Sequence, residues 1–310
     1  MRFSVSIPQH ADESFTLTGL RAFLRRAEEL GFESAWTQES VLGAWPLLSP
    51  IEIMTYAAAC TERMRLGCAV FVTPLHNPVQ LAKSLATLDH LSAGRLEVGV
   101  ATGGQGRPFA AFGIDGEGLV SRFLEHLTVM KALWTEPRVT LDGRFWQLDD
   151  AAMEPKPVQR PHPPVWFGAA VPNALRRAVR HGDGFFGAGS QTTARFAEQV
   201  KVVREALAEQ GRAPATFPIA KRVYIAVGPH DETLRERARD VLSAMYGRPD
   251  DLSGVAVYGT PEQCVAGLRE VAAAGAERIL LTPLFDEAEQ LELLAGEVLP
   301  AYRRTENAAT

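Results

Sequence analysis

Short apolar runs alternate with longer amphipathic segments along almost the whole chain. Short apolar runs of up to about eight residues are typical of buried strands, and apolar positions spaced by three and four are typical of helices. The predicted strands are Phe3–Pro8, Ser34–Thr37, Arg65–Thr73, Leu96–Ala101, Val165–Gly168, Gly184–Phe186, Val223–Gly228 and Ile279–Pro283. The predicted helices are Gly19–Leu30, Ile51–Glu62, Asn77–Leu91, Leu119–Trp134, Asn173–His181, Ala194–Gln210, Glu232–Met245, Thr260–Ala274 and Glu287–Tyr302.

Eight strand–helix units in one chain predict an α/β fold, the (β/α)8 TIM barrel. A hairpin at 139–148, centred on Asp142-Gly143, and a proline-rich segment at 155–164 follow the fourth unit as an insertion, and Thr260–Ala274 is an extra helix before the eighth strand. A doubly wound sheet is the alternative, but it needs a glycine-rich turn after the first strand, and Ile7–His10 has none. We expect one domain over residues 1–302 and a C-terminal tail over 303–310.

Composition narrows the class of protein. The chain has 310 residues, of which 46% are hydrophobic and 22% charged, as in ordered globular proteins. No apolar run is as long as a membrane helix, which needs about 18 residues. The N-terminus does not resemble a secretory signal either, so we expect a cytoplasmic location. The net charge of −5 argues against nucleic acid as a partner. Three widely spaced cysteines predict neither disulfides nor a metal site.

In a barrel of this kind the active site lies at the carboxyl ends of the strands. The loops Thr102–Arg107 and Gly168–Asn173 there consist largely of small residues, which let backbone amides approach a phosphate, although such loops also serve simply as turns. His10, Glu39 and His76 are the titratable side chains that the first three loops bring to this end. Each is a candidate acid or base, and each also has a structural reading as an exposed, paired or packed loop residue.

Several sequence segments, taken in their order along the chain, indicate a protein family, which composition does not. They are 27–36 (AEELGFESAW), 61–70 (TERMRLGCAV), 76–83 (HNPVQLAK), 88–96 (LDHLSAGRL), 133–136 (LWTE), 155–161 (PKPVQRP), 180–185 (RHGDGF) and 259–264 (GTPEQC). Through these segments the chain resembles the bacterial luciferase-like superfamily of flavin and deazaflavin oxidoreductases over nearly its whole length.

The resemblance implies a cofactor, FMN or coenzyme F420, at the mouth of the barrel. The flat ring would rest on a bulge in the third strand, where deazaflavin members have a cis peptide bond that corresponds to Ala69–Val70 here. The cofactor phosphate would bind the amides of Gly168, Ala169, Ala170 and Val171. Thr102 and Gly103 would line the linker between ring and phosphate. No metal is implied.

Two departures from the family pattern bear on the reaction. Many deazaflavin members have an acidic residue and then a histidine after the second strand, and here the pair is Glu39-Ser40. Many FMN monooxygenases have an arginine where this chain has Thr102, which favours F420. We therefore expect hydride transfer between F420 and a small organic substrate, with Glu39 in contact with the ring and His76 or His10 as proton donor.

The alternatives are a two-component monooxygenase that takes reduced FMN from a separate reductase, and a flavin-binding protein without turnover. An F420 reductase or flavin reductase is accordingly an expected partner, besides the small-molecule substrate. Relatives of this kind commonly form homodimers, which we expect here. The sequence does not identify the substrate, because variable insertions such as Gln105–Gly118 build the walls of its pocket.

Overall fold

Parallel strands form a closed barrel in the computed structural model, which describes residues 1–104, 109–114, 116–229, 231–247 and 253–307. The strands are β1 (Arg2–Ser6), β2 (Ser34–Thr37), β3 (Arg65–Val72), β4 (Leu96–Ala101), β5 (Val139–Asp142), β6 (Gln147–Ala151), β7 (Val165–Gly168), β8 (Gly184–Gly187), β9 (Ile219–Val227), β10 (Ala256–Gly259) and β11 (Arg278–Pro283). In these described ranges, eight strands close in the order β1-β2-β3-β4-β7-β8-β9-β11, and β11 pairs with β1. The predicted (β/α)8 TIM barrel is confirmed.

Helices follow the barrel strands and cover the sheet from outside. They are α1 (Leu17–Glu29), α2 (Pro50–Cys60), α3 (Pro78–Leu91), α4 (Leu119–Thr135), α5 (Pro172–His181), α6 (Thr193–Glu209), α7 (Glu232–Tyr246), α8 (Pro261–Ala273), α9 (Glu287–Leu293) and α10 (Leu299–Asn307). A π-helical turn at Leu294–Val298 joins the last two. The chain therefore stays helical to Asn307, whereas the sequence predicted that the last helix ends at Tyr302.

Local sequence explains where several helices begin. The Asn77 side chain accepts hydrogen bonds from the amides of Val79 and Gln80, with Pro78 in the first turn of α3. Thr260 and Gln263 form a reciprocal capping box at the start of α8. Both starts were readable from the sequence because their partners lie within one helical turn.

The inserted hairpin is held by α4. Strands β5 and β6 pair antiparallel, and the Glu125 carboxylate accepts hydrogen bonds from the backbone amides of Arg144, Phe145 and Trp146 in the turn between them. The hairpin prediction is confirmed, although β6 continues to Ala151 rather than Leu148.

The seventh barrel strand corrects the sequence interpretation. Strand β9 begins at Ile219, not at Val223, and so includes Lys221 and Arg222. Its first residues pair with β8, and its last residues pair with β10, a strand that the sequence did not predict. Strand β10 thus occupies the edge of β9 beyond the point where β8 ends.

Aromatic rings fill the barrel beside glycines on the neighbouring strands. Trp36 on β2 stands opposite Gly67 on β3, and Trp166 on β7 stands opposite Gly184 on β8. A Cβ atom on Gly67 would lie 2.5 Å from Cε3 and Cζ3 of Trp36, and one on Gly184 would lie 2.6 Å from Cε3 of Trp166. The two rings pack edge to face, with centroids 6.2 Å apart. The glycines therefore provide the space that two indoles need inside a small barrel.

The amino-terminal end of the barrel carries an ionic network centred on the buried Arg278 and Glu97. Arg278 donates hydrogen bonds to Glu97 (2.6 Å) and Glu33 (3.0 Å), and Arg65 donates to the other oxygen of Glu97 (2.5 Å). This end of a TIM barrel serves stability, so the network fixes the strands from below the site.

Among the described residues, no helix combines the length and the apolar character that crossing a bilayer requires.

Candidate active site

The residues predicted to bind a cofactor come together on one floor at the carboxyl ends of β3, β4 and β7. These strands are neighbours in the barrel, so Ala69 and Val70, Thr102 and Gly103, and Gly168 and Ala169 share one surface. A Cβ atom on Gly168 would lie 3.1 Å from Cγ1 of Val70 and 3.5 Å from Cβ of Ala101. These six of the eight predicted cofactor residues are partly exposed, which leaves a surface of small side chains open to a ligand.

Strand β3 bulges at this floor. Its pairing with β4 shifts register between Cys68 and Phe71, and the Ala69–Val70 peptide bond is cis, at the position that the resemblance implied. A side chain on Gly99 of β4 would run into the Cys68 carbonyl, so glycine is needed opposite the bulge. The floor therefore depends on glycines on two neighbouring strands, Gly99 and Gly168.

The loop after β7 leads into α5. Val171 is the residue that precedes the helix, Pro172 occupies its first turn, and no side chain caps this end. Ala170 and Val171 are exposed, and the Ala170 carbonyl accepts a hydrogen bond from Nε2 of the buried Gln199 on α6 (3.3 Å). Small side chains and an uncapped helix start fit a planar ring on the floor and a phosphate at its edge.

Glu39 and His76 form a pair, 37 residues apart in the chain. Oε1 of Glu39 lies 2.7 Å from Nε2 of His76, and Oε2 accepts a hydrogen bond from the Val72 amide (2.7 Å). The Glu39 side chain is 2% exposed, whereas that of His76 is 25% exposed. Because both Glu39 oxygens are engaged, the geometry presents His76 to a ligand and places Glu39 behind it. The predicted contact between Glu39 and the cofactor ring stays a prediction.

His10 lies apart from that pair, on the wall of a cavity. Its ring stacks on Trp45, with centroids 4.3 Å apart, and its Nδ1 lies 3.1 Å from Oδ2 of Asp12. Hydrogen bonds from Ser14 lower the pKa of Asp12, and the His10 interaction adds to this effect. The structure thus separates the two histidines that the sequence offered as proton donors.

The cavity has a volume of about 500 Å³ and opens at the carboxyl ends of β1, β2, β9 and β11, between α1 and α7. Its inner end is lined by Ser6, Trp36, Gln38, Arg222 and Thr282, and His10, Asp12, Trp45, Arg237 and Phe285 line its outer part. The Ser6 and Thr282 hydroxyls form a hydrogen bond of 2.6 Å. This cavity adjoins the floor, because Arg222 contacts residues of both.

Arg222 is the main site residue that the sequence analysis missed. Its Nη1 donates to Oε1 of Gln38, and its Nη2 donates to the carbonyl of Ala69 at the bulge (2.9 Å). The available signal was two consecutive cations in an apolar strand, which alternation sends to opposite faces of the sheet. Starting the predicted strand at Val223 excluded both.

The other cation, Lys221, points outward. Its ammonium group donates to the carbonyls of Ala188 and Gln191 (2.9 Å to the latter), and burial, with a contribution from Arg222, lowers its pKa to about 7. It borders a second cavity of about 320 Å³ that lies outside the barrel, beside β10 and α8. Lys221 therefore holds the loop after β8, away from the floor.

A buried histidine supports the end of β3. His126 on α4 is fully buried, and its Nδ1 lies 2.9 Å from the Thr73 carbonyl. Burial lowers the pKa of His126 to about 4, so the ring is neutral near pH 7. Nε2 of His126, Oγ1 of Thr73 and Nε1 of Trp146 are buried without a hydrogen-bond partner in the described part of the chain.

Parts of two predicted loops lie outside the described residues. They are Gln105, Gly106 and Arg107 of the loop after β4, and Asp115 in the predicted pocket wall. Within the described ranges, no group of three or more histidine, cysteine or acidic side chains has a geometry that could hold a metal ion.

Comparison with known proteins finds one matching family and relatives that use F420 or FMN. The family model described as luciferase-like monooxygenase matches residues 1–253. An F420-dependent glucose-6-phosphate dehydrogenase of Beutenbergia cavernae is 27% identical, over 95% of this chain and 96% of its own. An FMNH(2)-dependent dimethylsulfone monooxygenase of Pseudomonas putida is 28% identical, over 74% of this chain and 62% of its own. The chain spans less than half, 46%, of the uncharacterised Sinorhizobium fredii protein y4vJ.

Two solved structures share the fold. Monooxygenase RslO1 from Streptomyces bottropensis has 26% identity and a TM-score of 0.82, covering 97% of this chain and 100% of its own. An F420-dependent secondary alcohol dehydrogenase, solved with an F420–acetone adduct, has a TM-score of 0.84 at 19% identity, covering 97% and 99%.

Proposed function

This chain belongs to the luciferase-like monooxygenase family, and from that premise we propose that it is an oxidoreductase that uses coenzyme F420 to transfer hydride to or from a small organic substrate. The observation that carries the choice of F420 is Thr102, which stands on the floor where many FMN monooxygenases have an arginine. The similarity to the F420-dependent dehydrogenase over nearly the full length of both chains supports the same choice.

The proposed division of the site follows the geometry. The floor formed by Ala69, Val70, Thr102 and Gly168 supports the cofactor ring, and the amides at the start of α5 hold its phosphate. The bound deazaflavin would supply the hydride chemistry, which no side chain provides. The cavity between α1 and α7 takes the substrate, and its aromatic walls exclude water.

In this proposal His76 supplies or accepts the proton. Glu39 accepts a hydrogen bond from Nε2–H of His76, which fixes the ring orientation and leaves Nδ1 without a hydrogen-bond partner among the described residues. Glu39 is then a positioning residue, because its own oxygens are occupied by His76 and by the Val72 amide. The proposal needs no histidine at Ser40.

The experiment is a fluorescence titration of the purified protein with F420, FMN and reduced FMN. The buried Trp36 and Trp166 lie beneath the floor and Trp45 lines the cavity, so a bound ring should quench their emission. We expect saturable quenching at micromolar F420 and much weaker quenching by FMN. Ala169→Asp, which places a carboxylate at the phosphate position, is the control and should shift the quenching to F420 concentrations at least about ten-fold higher.

FMN-dependent oxygenation is the second candidate. The similarity to the FMNH(2)-dependent monooxygenase favours it, and the similarity to monooxygenase RslO1 favours an oxygenation reaction. Preference for reduced FMN in the same titration, with oxygen uptake on mixing, would replace F420 by this reaction. A separate flavin reductase would then be the partner to find. If no flavin or deazaflavin quenches the tryptophans, both versions fail.

A further inference from the structure

The guanidinium group of Arg222 lies at the inner end of the cavity and has no counter-charge in the described part of the chain. Arg222 is only 6% exposed, and its hydrogen bonds go to two neutral acceptors, the Gln38 side-chain oxygen and the Ala69 carbonyl. Among the described residues, no carboxylate forms an ion pair with it. A buried cation that has only neutral partners is unfavourable, and a bound anion relieves that cost.

The rim of the same cavity differs from its inner end in how its charged side chains are paired. Arg237 binds both oxygens of Asp286 (2.6 and 3.0 Å), and Asp12 accepts hydrogen bonds from the Ser14 amide and hydroxyl. The positive charge of Arg237 at the rim is therefore matched within the chain by Asp286. The inner end has unmatched positive charge, and the N–H donors of Arg222 beyond the two bonded ones remain available there.

We propose that the inner end of the cavity binds an anionic group of the substrate, a carboxylate or a similar oxyanion, with Arg222 as its anchor. The planar guanidinium suits two parallel hydrogen bonds to such a group. Trp36, Trp45 and Phe285 line the same cavity, so the rest of the substrate is apolar or aromatic. This inference rests on the proposed function, since it assigns the substrate class of the same site.

Gln38 provides the sharpest test. Its side-chain oxygen already contacts Nη1 of Arg222, and its backbone is held independently by Gln9, which bonds both its amide (2.7 Å) and its carbonyl (3.0 Å). Gln38→Glu changes shape very little and supplies the missing carboxylate. It should therefore neutralise Arg222 without disturbing the fold, whereas removing Arg222 itself also removes the bond to Ala69.

The probes are benzoate and its neutral isostere benzamide, titrated against tryptophan fluorescence with and without bound cofactor. We expect the unmodified protein to bind benzoate about ten-fold or more tightly than benzamide, as charge-assisted hydrogen bonds imply. Gln38→Glu should remove that preference. Arg237→Gln, which removes an equal charge at the rim, should keep it.

Equal binding of the two probes, no binding of either, or an unchanged preference in Gln38→Glu would overturn the proposal. So would a Gln38→Glu protein that binds FMN more weakly but riboflavin normally, because Arg222 would then serve the cofactor phosphate. A benzoate preference in a protein that binds neither F420 nor FMN would support the anion site and refute the proposed function alone.

Discussion

Gly67→Ala tests whether the barrel interior is packed as tightly as the structure indicates. The added Cβ atom would lie 2.5 Å from two ring carbons of Trp36, a separation that side chains do not adopt, so the indole or strand β3 must move. The Trp36 ring has little freedom to move. Its Nε1 donates to Oγ of Ser34 (2.8 Å), and it packs against Phe186 and Trp166 at centroid distances of 4.9 and 6.2 Å.

The expected cost follows from that confinement. Overpacking a core by one methyl group typically costs about 1–3 kcal/mol, and a fully buried, hydrogen-bonded ring places this site at about 3 kcal/mol. For a chain of 310 residues the unfolding entropy makes 1 kcal/mol equivalent to roughly 1.5 °C in Tm, so we expect a fall of roughly 4–5 °C. Circular dichroism during heating, and the urea midpoint, measure this directly.

Gly296→Ala is the matched control. The same methyl group added there meets no atom within 4 Å, in the helical turn between α9 and α10, so stability should hold or rise slightly. Trp36→Phe should partly rescue Gly67→Ala, because the smaller ring makes room for the methyl group. A Gly67→Ala protein with an unchanged Tm would refute the packing argument, and so would a cost that Trp36→Phe leaves unaltered.

Three further predictions concern the site. Ala169→Asp should weaken FMN and F420 binding at least about ten-fold, because the new carboxylate repels the phosphate. Riboflavin has no phosphate, so its affinity should change by no more than about two-fold. Equal losses of FMN and riboflavin affinity in fluorescence titrations would contradict the phosphate position. Glu39→Gln should lower kcat at least about ten-fold with cofactor Kd nearly unchanged, and adding His76→Asn should cost little more, because the two act as a unit; additive losses would separate them. Finally, the folded-state pKa of His126, about 4, lies below its ordinary value of 6.5, so the unfolded chain takes up the proton first and stability falls as the pH drops from 6.5 towards 4. The loss reaches up to about 3 kcal/mol in urea unfolding, and His126→Gln should flatten it.

The candidate site was partly predictable. The floor residues could be proposed because family motifs are contiguous in sequence, and because Gly168 ends a strand and Ala169 follows directly after it. His76 and Glu39 were identified singly as candidates, but their pairing was not, since it joins the ends of two neighbouring strands. The sequence predicted that Glu39 contacts the cofactor ring, and the proposal now makes it a positioning residue for His76. The reason is that both of its carboxylate oxygens bind groups that only the folded chain brings near.

Arg222 could not be assigned to the cavity from the sequence, for a different reason. Lys221 and Arg222 are neighbouring cations that the sequence does not distinguish. In the structure Arg222 lies inside the barrel, whereas Lys221 holds the loop after β8 outside it. Strand alternation requires that they face opposite ways, but it does not say which faces inward. That choice depends on the register of β9 against β8 and β11, which barrel closure fixes.

The sequence by itself determined the order and type of the elements, the barrel, the hairpin insertion and the family, because these depend on periodicity, caps and motifs within short stretches. The tertiary structure alone decided that Trp36 lies over Gly67, that Glu39 holds His76, and that Arg222 enters the cavity while Lys221 does not. Those contacts join residues 31 to 184 positions apart, and their geometry exists only once the eight strands have closed with one register.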